Sequence, residues 1–243
     1  MKIIAHRGAS AYAPENTLDS FRLALEMGSR DFEFDVHRTK DGVLVVHHDY
    51  FIMDGKERKV YTAKTSFEDL RKIDVSRTFI GADFHCVPTF EEVLDVLSEK
   101  AEWINIELKN DGNKYPGIEA QVLEVVNKKG LLKKVLISSF DFPTLKRMRD
   151  LSPTIAIGYL VEGRFAFLFH DPIEKAKEID AENLHIDIEN ACERNVNAIR
   201  EAGLRCCVYT VNRKEDALRL KELGVDGIFS NFPDILGDWN LKP

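Results

Sequence analysis

The chain has 243 residues, 44% hydrophobic and 31% charged, the composition of a soluble globular protein that can bury a sizeable core. Lys and Arg total 34 against 41 Asp and Glu; the formal net charge of −7 argues against a general nucleic-acid binder, which would carry a basic stripe. No stretch approaches the roughly 20 apolar residues of a membrane span, and the apolar run at Met1 to His6 is too short for a signal peptide, so the expected location is cytoplasmic.

In chain order, residues 2–6 read as a short strand that ends at His6-Arg7-Gly8. Asn16 or Thr17 then caps a helix whose apolar stripe is Leu18, Phe21 and Leu25, and Gly28 ends it. The next strand alternates strictly, with Asp31, Glu33 and Asp35 on one face and Phe32, Phe34 and Val36 on the other. Lys40-Asp41-Gly42 supplies a turn, and the apolar run Val43 to Val46 returns the chain, delivering His47, His48 and Asp49 toward the carboxylates. Residues 50–88 are polar, with one short helical piece at 66–73, and read as an insertion over one end of the domain rather than a second core. Thr89 caps a helix over 90–97 with Glu91 and Glu92 in its first turn.

From there strand and helix alternate. Strands are expected at 103–109, 134–139, 155–160, 184–188, 205–211 and 226–230, with helices at 118–129, 143–151, 173–178, 193–202 and 214–223. Gly130, Gly203 and Gly224 fall where helices should stop. With the first two units this makes eight strand–helix pairs in a single domain spanning 1–243, and a (β/α)8 barrel is expected. An open doubly wound sheet is the runner-up, weakened by the lack of a Gly-rich turn after the first strand. Cys86, Cys192, Cys206 and Cys207 form no CxxC pair and are read as reduced and structural.

Parallel barrel strands should be apolar on both faces. Two are not: in the strand at 103–109, Ile104, Ile106 and Leu108 share one face while Asn105, Glu107 and Lys109 share the other, as in the Asp31 strand. The apolar faces must meet the helices, so Glu33, Asp35, Glu107 and Lys109 point inward, at strand ends where barrel enzymes carry their chemistry. Enclosed carboxylates cost several kcal/mol unless a cation is present. A divalent ion on Glu33, Asp35 and Glu107 answers this better than a purely salt-bridged cluster with Arg7 and Lys109, and all-oxygen ligation suits magnesium or calcium. His6 and His48 flank the acids as proton donors or acceptors, the pair a phosphodiester cleavage needs. By alternation only one of His47 and His48 can point inward. His37, His85, His170 and His185 read as surface or packing histidines, with His185 a weak ligand-contact candidate.

His6-Arg7-Gly8, Pro14-Glu15-Asn16-Thr17, Glu33-x-Asp35-Val36, Thr39-Lys40-Asp41-Gly42, His48-Asp49, Asn105-x-Glu107-x-Lys109, Ser139-Phe140, Thr210-Val211-Asn212 and Gly224-Val225-Asp226-Gly227 together resemble the glycerophosphodiester phosphodiesterase family over essentially the whole chain. The resemblance implies a TIM barrel with a small insertion after the second strand. It implies His6 and His48 as the acid/base pair and Glu33, Asp35 and Glu107 as ligands of one divalent cation, with manganese a third option. Arg7, Glu15, Lys109 and Tyr209 are the substrate-binding residues it implies, for hydrolysis of a small-molecule glycerophosphodiester to glycerol 3-phosphate and an alcohol. The family often has Trp at Tyr209 and Asp at Asn231; neither departure is expected to touch the metal or histidine set. Two rivals are a lysophospholipase D using the run 165–169 with Leu160 as an acyl lip, and a non-catalytic barrel that only binds phosphate esters.

Overall fold

Eleven strands, nine α-helices and two short 3-10 helices occur among the residues that the computed structural model describes, 1–55, 58–76, 79, 81–163, 166–169 and 171–237. Strand β1 (Lys2–His6) leads through a loop into α1 (Leu18–Glu26) and β2 (Asp31–Arg38). The chain turns back as β3 (Leu44–Val46), then forms the hairpin β4 (Phe51–Met53) and β5 (Lys59–Tyr61), the short α2 (Phe67–Leu70) and α3 (Phe90–Leu97). The alternation continues with β6 (Trp103–Leu108), α4 (Ile118–Lys128), β7 (Val135–Ser139), α5 (Phe142–Leu151) and β8 (Ala156–Val161). It ends with α6 (Ala166–Phe169), α7 (Pro172–Glu178), β9 (Asn183–Asp187), α8 (Glu193–Glu201), β10 (Arg205–Tyr209), α9 (Lys214–Leu223) and β11 (Gly227–Ser230).

Strands β1, β2, β6, β7, β8, β9, β10 and β11 pair in parallel, in that order, and the β11–β1 pairing closes the ring. This is the (β/α)8 barrel expected from the alternation. β3 adds to it by pairing antiparallel with the outer half of β2, Val36 opposite Val46 and Arg38 opposite Leu44.

The outward faces pack as their sequence requires. Phe32, Phe34, Val36, Ile104, Ile106 and Leu108 are all at most 1% exposed and join Phe21 of α1 and Phe90, Val93, Leu94 and Leu97 of α3 in one apolar cluster. The Phe34 ring lies 5.7 Å from Phe21 and 6.0 Å from Phe90, tying both helices to one strand. Cutting such a ring to Ala costs ~3–5 kcal/mol. Thr17 caps α1 by accepting from the Ser20 amide, and Thr89 with Glu92 forms a capping box on α3, a contribution of about 1 kcal/mol.

Residues 50–88 are more ordered than their polar composition suggests. Besides α2 they hold the β4–β5 hairpin, and Ile52 and Leu70 bury a small apolar cluster of their own with Val45 and Val87. The hairpin is hard to see in the sequence because its strands have three residues each and β5 is largely exposed, so no clean alternation develops.

Candidate active site

Strand register assembles the acidic group. Asp35 of β2 lies opposite Glu107 of β6, and Glu33 lies between Asn105 on one neighbour and His6 on the other. One oxygen each from Glu33, Asp35 and Glu107 lies within 4.8 Å of the others, and the three residues are 3%, 0% and 8% exposed. Two cations face them. Arg7 Nε is 3.3 Å from Asp35 Oδ2, and Lys109 Nζ is 2.7 Å from Glu107 Oε1 and 3.6 Å from Asp35 Oδ1. Three buried carboxylates therefore exceed their counter-charges by one.

The charge states follow. Burial alone would raise Asp35, but Arg7 and Lys109 beside it hold its carboxyl well below the usual carboxylate range. Glu33 is pushed well above it by burial and by the charges of Asp35 and Glu107. Glu107 is pushed up to about 7 by burial and Asp35. Lys109 and Arg7 lose charge affinity to burial but regain more from the carboxylates, and both stay cationic. Glu33 Oε1 and Asp35 Oδ1 are buried acceptors without a hydrogen-bond partner. An all-oxygen cluster whose three carboxyls outnumber their two counter-charges, and so retain protons, could hold a divalent metal ion in place of those protons.

The loop after β1 places Arg7. Its amide donates to the Glu33 carbonyl at 2.9 Å, and its own carbonyl accepts from Ser20 Oγ and from the Asn16 amide, both at 3.0 Å. Gly8 (φ +84°) passes so close to α1 that an added Cβ would sit 2.4 Å from Ser20 Oγ and 2.6 Å from the Ser20 carbonyl carbon. No other residue fits there without moving the helix. Asn16 completes the arrangement by donating from Nδ2 to Asp35 Oδ2 at 2.9 Å.

A cavity of about 500 Å³ opens over these groups. His6, Arg7, Glu33, Glu107, Lys109 and His48 form its polar wall; Phe140, Leu160, Tyr209 and Phe229 form its apolar wall, with Asp111, Glu162 and Thr210 between. The two histidines meet it differently. His6 lies with Nε2 3.8 Å from Glu33 Oε2; burial and then Arg7 drive it down to about 3, so it is neutral. His48 is about a third exposed, and its Nδ1 lies 2.9 Å from Asp49 Oδ1. His47 turns away, with Nε2 3.2 Å from the Phe51 carbonyl, while its amide donates to the Asp35 carbonyl at 3.1 Å. Of the pair, His48 is the one that lines the cavity, although both lie just beyond the end of β3.

Residues 6–235 match the glycerophosphoryl diester phosphodiesterase family. The chain is 33% identical over 236 residues to a glycerophosphodiester phosphodiesterase of Caldanaerobacter subterraneus subsp. tengcongensis, covering 96% of this chain and 95% of that one. It is 36% identical over 239 residues to one of Bacillus altitudinis, again covering 96% and 95%. The chain belongs to the glycerophosphoryl diester phosphodiesterase family. Among solved structures, an Oleispira antarctica phosphodiesterase in complex with the product sn-glycerol-3-phosphate superposes with a TM-score of 0.84 at 31% identity, over 96% of this chain and 94% of that one.

Glu15 is not among the residues that line the cavity; its carboxylate accepts two hydrogen bonds from Arg7 Nη1, at 3.0 and 3.1 Å. Within this family frame one expectation needs correction. Asn231 does touch the histidine set: its Oδ1 lies 2.7 Å from His6 Nδ1. The contact spans 225 positions, and a lone Asn at a strand end carries no local signal of it. Tyr209 lines the cavity with its hydroxyl donated to the Val161 carbonyl at 2.8 Å. His185 is fully buried, edge-on to Phe229 at 5.0 Å, and is not part of the cavity wall. His170 and Phe165 of the suggested lip lie outside the described residues, as do the side chains of Leu168 and Phe169.

Proposed function

We propose that the chain hydrolyses glycerophosphodiesters, releasing sn-glycerol 3-phosphate and an alcohol, with residues 1–243 acting as one catalytic unit. The observation that carries this reading is the convergence on one cavity of two histidines and of a three-carboxylate cluster that reaches its wall through Glu33 and Glu107, with Asp35 buried behind them. The product held by the Oleispira antarctica neighbour supports it. Glu33, Asp35 and Glu107 would hold one divalent cation; their oxygen donors suit magnesium or calcium, and manganese by the same chemistry. That ion would supply Lewis-acid polarisation of the phosphoryl oxygens.

The chain's own groups do the rest. Arg7 and Lys109 remain cationic under burial and bind the phosphate, Arg7 as a planar fork and Lys109 as a point charge. His6, neutral and bonded through Nδ1, accepts at Nε2 the proton of the attacking hydroxyl, whether water or the glycerol's own; in the second case a cyclic phosphate forms as the alcohol leaves, and water then opens it to sn-glycerol 3-phosphate. His48, the more exposed of the two and bonded to Asp49 through Nδ1, donates from Nε2 to the leaving alcohol oxygen on the solvent side. Phe140 and Tyr209, edge to face at 6.0 Å, pack against the substrate's carbon skeleton.

Incubation with glycerophosphocholine and a divalent salt tests this. The expected products are sn-glycerol 3-phosphate and choline; phosphocholine with glycerol, or no turnover with any of the three ions, would overturn the reading. Faster turnover of lysophosphatidylcholine would favour the lysophospholipase D rival.

A further inference from the structure

Two residues beyond Asp35, β2 carries His37, which does not line the cavity and is completely buried. Both of its ring nitrogens are bonded. Nε2 lies 3.1 Å from the carbonyl oxygen of His48, and Nδ1 lies 2.9 Å from the Tyr115 hydroxyl. A carbonyl only accepts, so Nε2 carries the ring proton; Nδ1 must then accept, and the Tyr115 O–H donates. The two neighbours fix one tautomer. Burial keeps the ring neutral in it.

The backbone around His48 has little else to hold it. Hydrogen bonds anchor the chain up to the His47 amide, on Asp35, and again from the Tyr50 carbonyl, which accepts from the Thr62 amide at 3.1 Å. Between those points, no other hydrogen bond among the described residues reaches the backbone of His48 or Asp49. The ring is in turn wedged edge-on against Tyr50 at 5.0 Å and Tyr115 at 5.6 Å, themselves stacked at 6.4 Å. Tyr50 ties the block to the loop after β6, donating to Asp111 Oδ2 at 2.7 Å and accepting from the Asp111 amide at 3.1 Å. An apolar side chain would fill this space without burying an imidazole; what it could not supply is the N–H on the His48 carbonyl.

We propose that His37 is a positioning residue, whose Nε2–H pins the His48 carbonyl and so aims the His48 imidazole from the same strand that carries Glu33 and Asp35. The inference rests on the phosphodiesterase reading of the cavity only for its effect on turnover. Its effect on the His48 turn is independent of that reading.

The test compares His37→Leu, which keeps bulk and removes the donor, with His37→Gln, whose amide N–H reaches about as far as Nε2. Kinetics on glycerophosphocholine, calorimetry of magnesium binding and amide hydrogen exchange over residues 47–50 are read together. For His37→Leu, kcat should fall ~10- to 100-fold, as a misaimed catalytic group loses rate, with KM and magnesium affinity within about twofold and exchange at 47–50 about tenfold faster. His37→Gln should recover most of kcat and of the protection. If His37→Leu does not fold, His37→Met carries the test, an unbranched apolar side chain that fills the space without a donor; kcat should drop and exchange at 47–50 rise. Wild-type kcat and exchange in His37→Leu, or equal damage in His37→Leu and His37→Gln, would overturn the proposal. A wild type inactive on glycerophosphodiesters would remove the functional reading and leave the exchange comparison to decide the positioning.

Discussion

His6 and Asn231 meet at the two ends of the chain, Nδ1 to Oδ1 at 2.7 Å. The amide oxygen accepts, so Nδ1 holds the proton and Nε2 keeps its lone pair toward Glu33 and the cavity. Asn231 therefore selects the tautomer in which His6 can act as a base. Its backbone is held separately, by the Ala11 amide and by Asn212 Oδ1, so the side chain can be changed without releasing the strand end. Asn231→Leu should lower kcat ~10- to 100-fold through loss of base orientation, with the melting temperature and dication affinity near wild type. Steady-state kinetics beside thermal unfolding and calorimetry check this.

The two cavity histidines carry the proton transfers in this account. His6→Ala and His48→Ala should each cost ~10²–10⁴ in kcat, the usual size of general acid–base assistance, while folding and dication binding persist. Full activity in either variant removes that residue from the chemistry.

Dication binding should depend on pH with a definite sign. Glu107, at about 7 in the folded chain against 4.5 ordinarily, binds more protons folded than unfolded between those values, and Glu33 is shifted the same way. Without a dication, stability contributed here falls as pH rises through that window. A dication must displace those protons, so its affinity and its lift in melting temperature should grow from pH 5.5 to 8. Thermal unfolding with magnesium and with EDTA, across that range, reads the difference; a lift independent of pH contradicts the charge assignment. EDTA should also abolish turnover.

His85 offers a pH effect away from the cavity. Its Nδ1 faces the Asp83 carbonyl at 2.7 Å and its Nε2 faces Asp19 Oδ2 of α1 at 3.0 Å, so both ring nitrogens donate and the ring is an imidazolium. Burial works against the charge, but these partners raise His85 above its ordinary 6.5, and the His85 bond lowers Asp19. A raised histidine stabilises fully below about 6.5 and loses that contribution as pH climbs past its folded value. Asp19 is mostly exposed, so His85→Ala should cost under ~1 kcal/mol at pH 5.5 and close to nothing at pH 8.5. Denaturant unfolding at the two pH values measures it, and a larger cost at pH 8.5 would reverse the assignment.

The barrel and the acidic cluster were legible because each strand states its own orientation. Phe32, Phe34 and Val36 need the helices, which leaves Glu33 and Asp35 nowhere to point but inward. The repeat of that pattern in β6 reaches the same end of the barrel through parallel register. What stayed hidden depends on contacts that no local pattern encodes. Asn231 gains its meaning from His6, and His37 gains its from Tyr115 and from a backbone carbonyl eleven positions on. Glu15 sits in the loop beside Arg7, and its ion pair with Arg7 is a contact that no local pattern specifies. The β4–β5 hairpin carries no such pattern either, because short, exposed strands leave no hydrophobic period to read.

The most direct test of the central claim is anomalous diffraction from a crystal soaked with manganese and sn-glycerol 3-phosphate. The account predicts one strong peak about 2.0–2.6 Å from oxygens of Glu33, Asp35 and Glu107, with the phosphate between Arg7 and Lys109. A cluster without a peak, or a peak bound by other residues, would contradict it.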